Sequence, residues 1–566
     1  MTALPISRRG ALAGVFGLAG AACARQDDAA GAADPAPAVS FEHGVASGDP
    51  TQTRLIIWTR VTPEHADVAT VPVVWEVAED EGFTSIFRDG AVETSADRDF
   101  TVKVDVDGLS AGTAYFYRFR GGETISPIGR AKTLPEGAVE QFVMGVCSCS
   151  NYPAGYFTAY RHLAEQPDVD LILHLGDYFY EYGADGFGAG LTSGRTPEPA
   201  HETVTLADYR LRHAQYKRDP DLQAAHARAP WIAIWDDHES ANDSWVDGAE
   251  NHQPETEGDW ATRKAAAIRA YFEWMPIREP QGDRDPAAIW RSFEIGDLAS
   301  LIMLETRLTA RDEPLGYEDI PVREGPQGVP VPDVEAFLTR MIPDPTRQMV
   351  GDAQLSFIAD TVGASVAAGK PWQLLGTQVL MARVGTPNLP AVLTQEQIET
   401  VRAAVPGIDA FLQLTAAVTV PWNLDAWNGY AAERERVFAA LQAAGANLIA
   451  LAGDTHNFWA NELTNFQADP VGEEFGTSGI TSPSIANIFG LTPGEGTDLG
   501  QAFVDANPDV HLNDIFNKGY LTLTLSPETA QAELFAVEDV TVPDSAVRSI
   551  GLFSTTPGAR QLTREA

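Results

Sequence analysis

Aspartate, tyrosine, histidine and cysteine recur at one kind of place in this chain, just past the end of a short apolar run. In LILHLGDYFYEY the run Leu171–Leu175 stops at Gly176, and Asp177 and Tyr180 follow. On one turn of helix, positions i and i+3 share a face, so this carboxylate and this phenol can aim at one spot. Both offer hard oxygen to a divalent or trivalent cation; the plainer reading is an N-cap aspartate beside a packed tyrosine. Asp236-Asp237-His238-Glu239 follows Trp231–Trp235, with Asn242 beyond. Glu305-Thr306-Arg307 follows Ala299–Leu304, Gln378 lies past Trp372–Leu375, and Asp454-Thr455-His456 follows Leu448–Leu451. Cys147 closes Phe142–Val146, with Cys149 two residues on. Singly, Cys147 reads as a small buried hydrophobe and His456 as a core histidine. Jointly the set predicts a metal site, because carboxylates crowded beside a histidine are unfavourable without cations or strong donors.

The apolar runs that carry these residues predict strands. From Gln141 onward they alternate with helical stretches, the pattern of a layered α/β core. Their carboxyl ends are where open α/β sheets place ligands. Polar segments at Ala184–Glu202, Trp245–Trp260, Arg311–Gln348 and Ala382–Leu424 read as long loops, functional or disordered. Upstream, Phe41 to about Pro135 reads as a small β domain with strands near Arg54–Val61, Val71–Glu76, Thr101–Val106 and Ala114–Arg120. Leu109 and Tyr115 have the spacing of a tyrosine corner. His43 in this region reads as structural.

A chain of 566 residues predicts two or three domains. Its net charge of −40 excludes nucleic acid as a specific ligand and disfavours anionic membrane surfaces. An anionic substrate would need bound cations. Ser7-Arg8-Arg9 precedes an apolar run from Ala11 to Ala22, which predicts an export signal over residues 1–24 and the twin-arginine route used by folded proteins. Cleavage after Ala24 is expected, with a lipid anchor at Cys23 as the alternative. Residues 25–40 read as a linker. The three cysteines imply no disulfide framework.

The motifs GVCSCSNYPAGYF, LGDYFYEYG, WIAIWDDHESAND, LIMLETR, NLDAWNGYAAER, LAGDTHNFWANE and NKGY together resemble the metallophosphoesterase signature. Most closely, the chain resembles the PhoD family of alkaline phosphatases, also described as phospholipase D-like phosphodiesterases, over about Phe41 to Val537. The resemblance implies a fibronectin-like β-sandwich over 41–135, a four-layer αββα catalytic domain over 140–540 and a C-terminal segment over 541–566. It implies one Fe(3+) ion and Ca(2+). Asp177 would bridge the metals; Tyr180, Cys147 and His456 would bind iron; Asp237, Asn242 and Asp454 would serve calcium. His238 would act as acid and Arg307 would hold a phosphate oxygen. The expected activity is that of an exported, metal-dependent phosphohydrolase, periplasmic or secreted, acting on small phosphate monoesters or diesters. The alternatives are a phosphodiesterase for phospholipid or nucleotide diesters, and a non-catalytic surface-binding protein. Two departures from the family pattern stand out: Glu305 where Asp is usual, and Asn428 where an acid is usual. Gln378 has only a weak claim to the place of a missing histidine.

Overall fold

The structure is a computed structural model that describes residues 37–565 apart from Ala66 and Pro406. The expected export signal and Cys23 lie outside the described residues. From Pro37 onward the chain forms one compact unit. Among the described residues no helix is long and apolar enough to cross a membrane.

Two large sheets face each other. At the centre of the first run three parallel strands, Phe142–Cys147, Leu171–His174 and Trp231–Ala233. Each is buried throughout, as expected of parallel strands covered on both faces, which read as unbroken apolar runs. Antiparallel strands Lys518–Leu525, Ala530–Val537 and Val547–Thr555 extend one side. The second sheet has Ala299–Met303, Trp372–Gly376, Leu448–Ala452 and Pro470–Gly476 in parallel, with antiparallel strands outside them. Leu171, Leu173, Leu301, Leu374 and Ile449 share the core between the sheets. Helices Gly351–Ala367 and Ala431–Ala444 bury Ile358, Val362, Val437 and Leu441 against the outer face of the second sheet. Each such side chain contributes roughly 1.5–3 kcal/mol of burial. Helix Thr158–Glu165 brings Leu163 so close to the first sheet that a Cβ on Gly145 would meet its Cδ1 at 2.4 Å; glycine is what the approach requires. The result is a mixed α/β fold of helix, sheet, sheet and helix.

The N-terminal β region grows out of this architecture. Val45–Gly48 pairs parallel with Trp231–Ala233, and Leu55–Arg60 and Thr101–Val106 follow it, so the first sheet runs ten strands from one region into the other. A five-stranded sheet containing Thr70–Ala78 and Ala114–Gly121 closes over that end. Val71, Val73, Tyr117 and Phe119 pack there with Leu55, Ile57, Val102 and Val106. The tyrosine corner is present: Ser110 N donates to Tyr115 Oη at 2.9 Å.

Three of the segments read as long loops carry regular structure, one of them the short helix Pro254–Glu257 within 245–260. A hairpin, Val322–Glu324 with Pro330–Pro332, lies within 311–348, and helices Gln395–Ala404 and Ile408–Ala417 lie within 382–424.

Candidate metal centre

The parallel strands end abruptly in sharply bent backbone. Asp177, Asp454, His456 and Cys149 all adopt left-handed φ, at 53°, 65°, 57° and 59°. Each such non-glycine residue costs of order 1–3 kcal/mol, and such residues cluster at functional sites. Gly176, at φ 105°, leads the first bend, where a Cβ would lie 2.6 Å from Asp236 N. Glu239 holds the two loops together: its carboxylate accepts from Asp177 N, Tyr178 N and Asp236 N at 3.1, 2.6 and 2.8 Å. The helical turn expected across Asp177 and Tyr180 is absent. The kinked loop still brings Tyr180 Oη to 3.1 Å from Asp177 Oδ2.

Two groups of donor atoms result, each within 4.8 Å across: Cys149, Asp177 and His456, and Asp177, Asp237 and His238. Asp177 belongs to both. Tyr180 Oη joins the first, 2.9 Å from His456 Nε2, and receives a hydrogen bond from Ser482 Oγ at 2.6 Å. His456 Nδ1 donates to Pro483 O at 2.7 Å, which leaves Nε2 with a lone pair facing the group. Phe187, from the loop after Tyr182, stacks on His456 with centroids 5.9 Å apart.

The electrostatics of the set call for cations. Asp177 Oδ1 and Asp237 Oδ1 are buried with no hydrogen-bond partner in the protein. An unsatisfied buried carboxylate oxygen is costly. Burial raises Asp177 well above the ordinary range and raises Asp236 to about 6 and Asp243 to about 8. Burial would raise Asp237 too, but Arg307 and His238 outweigh it and hold that carboxylate low. Burial would lower His238; Asp237, Glu181 and Asp177 outweigh it and push the ring well above the usual histidine range. Burial, then Asp177, push the Cys149 thiol well up, a shift that a bound cation inverts. Thiolate, imidazole, carboxylate and phenol in one group suit a transition metal, and the oxygen-richer group suits a harder ion. The residues present therefore fit metal.

Several residues stand elsewhere than the sequence implied. Cys147 is in neither group: it is the last residue of its strand, and its Sγ faces Leu173 O at 3.6 Å. Cys149, past the strand end, takes its place. Asn242 Nδ2 donates to Glu250 Oε2 at 3.2 Å, and its backbone N donates to Glu181 Oε1 at 2.8 Å. Arg307 is fully buried and cannot reach out to a substrate phosphate. Its Nε donates to Asp236 Oδ1, its Nη1 pairs with Asp425 Oδ2 at 2.7 Å, and its Nη2 stands 3.7 Å from Asp237 and 3.8 Å from Asp454. It is a clamp on carboxylates. Asp454 lies outside both groups but beside this clamp, with Asn423 Nδ2 at 3.3 Å from its Oδ2.

Glu305 accepts from Trp235 Nε1, Arg307 N, Leu308 N and Thr309 N, so its extra methylene serves a loop cap. Gln378 bridges Thr306 Oγ1 and Leu304 O. Asn428 donates to Val384 O, away from the acids. The carboxylate that its motif contributes is Asp425, three residues earlier in NLDAWNGY, which pairs with Arg307 and Arg311.

A layered α/β fold with buried acids ringed at strand ends, and two donor groups that share one carboxylate, fits metal-assisted hydrolysis. The PhoD-like phosphatase model matches residues 144–534, and the model of the N-terminal domain of PhoD-like phosphatases matches residues 25–135. The chain is 33% identical over 528 residues to alkaline phosphatase D of Bacillus subtilis (strain 168), covering 91% of this chain and 80% of that protein. A solved structure titled "Structure of PhoD" superposes with a TM-score of 0.76 at 30% identity, covering 94% of this chain and 93% of that one. The chain belongs to the PhoD-like phosphatase family.

Proposed function

We propose that this protein is an exported, metal-dependent phosphohydrolase that cleaves small phosphate esters, monoesters and diesters. The observation that carries the metal reading is Asp177, shared between two donor groups with a bare buried oxygen. Cys149, Asp177, Tyr180 and His456 would hold iron, since thiolate and phenolate suit it better than calcium. Asp237, with Asp177 and the neighbouring Asp454, would serve calcium through oxygen. Cations there supply Lewis-acid polarisation of phosphoryl oxygens and activation of water.

The chain's own groups do the rest. Arg307 orients the carboxylates without touching substrate. His238, with Glu181 Oε2 2.7 Å from its Nδ1, gives a proton to the departing oxygen. An alkoxide, with a conjugate-acid pKa of about 16, needs that proton; a nitrophenolate near roughly 7 does not. Export rests on the Arg8-Arg9 signal, and Cys23 offers lipid attachment as the alternative to release.

The test is turnover of a phosphate monoester and a diester on one purified sample whose iron and calcium are measured. Activity on both, lost on chelation and restored by metal, is expected. Full activity with neither metal overturns the reading. His238→Ala should slow an alkyl ester about 10²–10⁴-fold, the usual worth of general acid catalysis, and a nitrophenyl ester far less. Retention of an Arg8→Lys/Arg9→Lys precursor in the cytoplasm checks the route.

A further inference from the structure

The residue that touches His238 is Glu181. It follows Tyr180 directly, its side chain is wholly buried, and both of its oxygens are engaged. Oε1 accepts from Asn242 N and from Asn251 Nδ2, each at 2.8 Å. Oε2 lies 2.7 Å from His238 Nδ1. A backbone N–H and an amide NH2 can only donate, so the carboxylate is anchored on one side by two donors and meets the ring with the other. Two donors on one oxygen favour the ionised carboxylate, so Oε2 accepts and Nδ1 carries hydrogen. The opposite nitrogen, Nε2, has no partner in the protein and is not sealed from solvent. The ring is also confined in its plane: it packs on Tyr180 with centroids 4.1 Å apart and on Tyr182 at 5.5 Å. It stands beside Asp177 and Asp237.

We infer that Glu181 is the positioning residue for His238, keeping hydrogen on Nδ1 and presenting Nε2 to the leaving-group oxygen. The inference deepens the reading of His238 as acid and rests on it. As the P–O bond breaks, the departing oxygen takes the Nε2 proton. The ring is left neutral with hydrogen on Nδ1, the tautomer that Glu181 already holds. No proton passes to Glu181.

Glu181→Gln separates this role from simple packing. The donors of Asn242 and Asn251 keep the amide oxygen on their side, so the amide NH2 turns to Nδ1. Two donors then face each other, and the ring is no longer held in the orientation that presents Nε2. The experiment is a double-mutant cycle of Glu181→Gln and His238→Ala, reading kcat for an alkyl and a nitrophenyl phosphate ester, with metal content and Tm measured alongside. Glu181→Gln should slow the alkyl ester about 10–100-fold, the usual loss when an outer partner of a site residue is removed, and the nitrophenyl ester less than about 3-fold. In the His238→Ala background the same change should cost less than about 2-fold, since the two residues act as a unit. Additive losses, or an unchanged alkyl rate in Glu181→Gln, overturn the inference. An equal loss on both esters from His238→Ala alone overturns the acid reading, while coupling in the cycle still tests whether Glu181 acts through His238. Should Glu181→Gln fail to fold, Asn251→Ala removes one anchor of Oε1 and should give a smaller loss confined to the alkyl ester; an equal loss on both esters from this variant overturns the inference as well.

Discussion

Two sets of buried ionisable groups approach within three residues of each other along the chain, and they solve the same problem in opposite ways. One is the acid set around Arg307: Asp177, Asp236, Asp237, Asp425 and Asp454. The other is a basic set on the strand and helices just behind it: His174, His213, Lys217 and His226, with His43 nearby. Burial disfavours charge in both. A base meets that demand by releasing a proton. Burial lowers His43 and His174 to about 3 and puts His213, His226 and Lys217 well below their ordinary values. Burial thus biases all five toward their uncharged forms, and they pack against aromatic rings. His226 stacks on Trp231 at 3.9 Å, His213 lies parallel to Trp274, and Lys217 Nζ meets His226 Nε2 at 2.9 Å. Acids must take up protons or cations, and these leave oxygens bare. The backbone repeats the contrast. His174 sits on a strand and His213 and His226 on helices, whereas Asp177 and Asp454 of the acid set hold left-handed φ. Burial alone therefore does not mark a site; Asp177, a bare acceptor on strained backbone, does.

The contrast breaks most sharply at Asp177. Asp177→Asn should lower kcat by about 10³-fold or more, the scale on which transition-state charge stabilisation is lost. The metal-free protein should be no less stable, because a buried acceptor without a partner is relieved. A large loss of metal-free stability, read by urea unfolding, would make Asp177 a structural acid. The paired cysteines come next. Cys149→Ala should lose iron and at least about tenfold in activity. Cys147→Ala should keep both and lose about 1–2 kcal/mol from its packed site, a typical core-truncation cost. Equal iron loss from the two would return Cys147 to the metal.

The basic set is tested by acid. Unfolded histidine takes protons below about 6.5, whereas folded His43 and His174 resist until about 3. Their stability contribution is present above pH 6.5 and is lost as pH falls from there toward 3. Each pKa unit of difference is worth about 1.4 kcal/mol. His213, with neither ring nitrogen partnered, is the position to change. His213→Phe should flatten the decline between pH 6.5 and 4 and leave kcat at neutral pH unaltered. An unchanged slope would mean that the ring is not buried neutral. The smallest effect is expected at Asn428. Asn428→Asp should change kcat less than about 3-fold, within the usual range for a substitution away from the chemistry, because Asp425 already supplies that motif's carboxylate. A marked gain would bring position 428 into the site.

The sequence by itself determined the layered core and the strands that end at the site. Unbroken apolar runs such as Leu448–Leu451 can be satisfied only between covered faces, and Asp177, Asp237 and His456 follow such runs so closely that the sheets gather them. The tyrosine corner was legible for a similar reason: Leu109 and Tyr115 are local. What only the tertiary structure decided was orientation. Cys147 and Cys149 differ by two residues, and the left-handed turn at Cys149, invisible in composition, chooses between them. Arg307 reads as a phosphate ligand until its burial among Asp236 and Asp425 shows it facing inward. Glu181 was in plain view beside Tyr180, but its partner is 57 residues away, at His238. The division has one physical cause. Periodicity and apolar burial are properties of a segment. The direction of a side chain past a strand end depends on φ at a single residue and on partners brought from other strands.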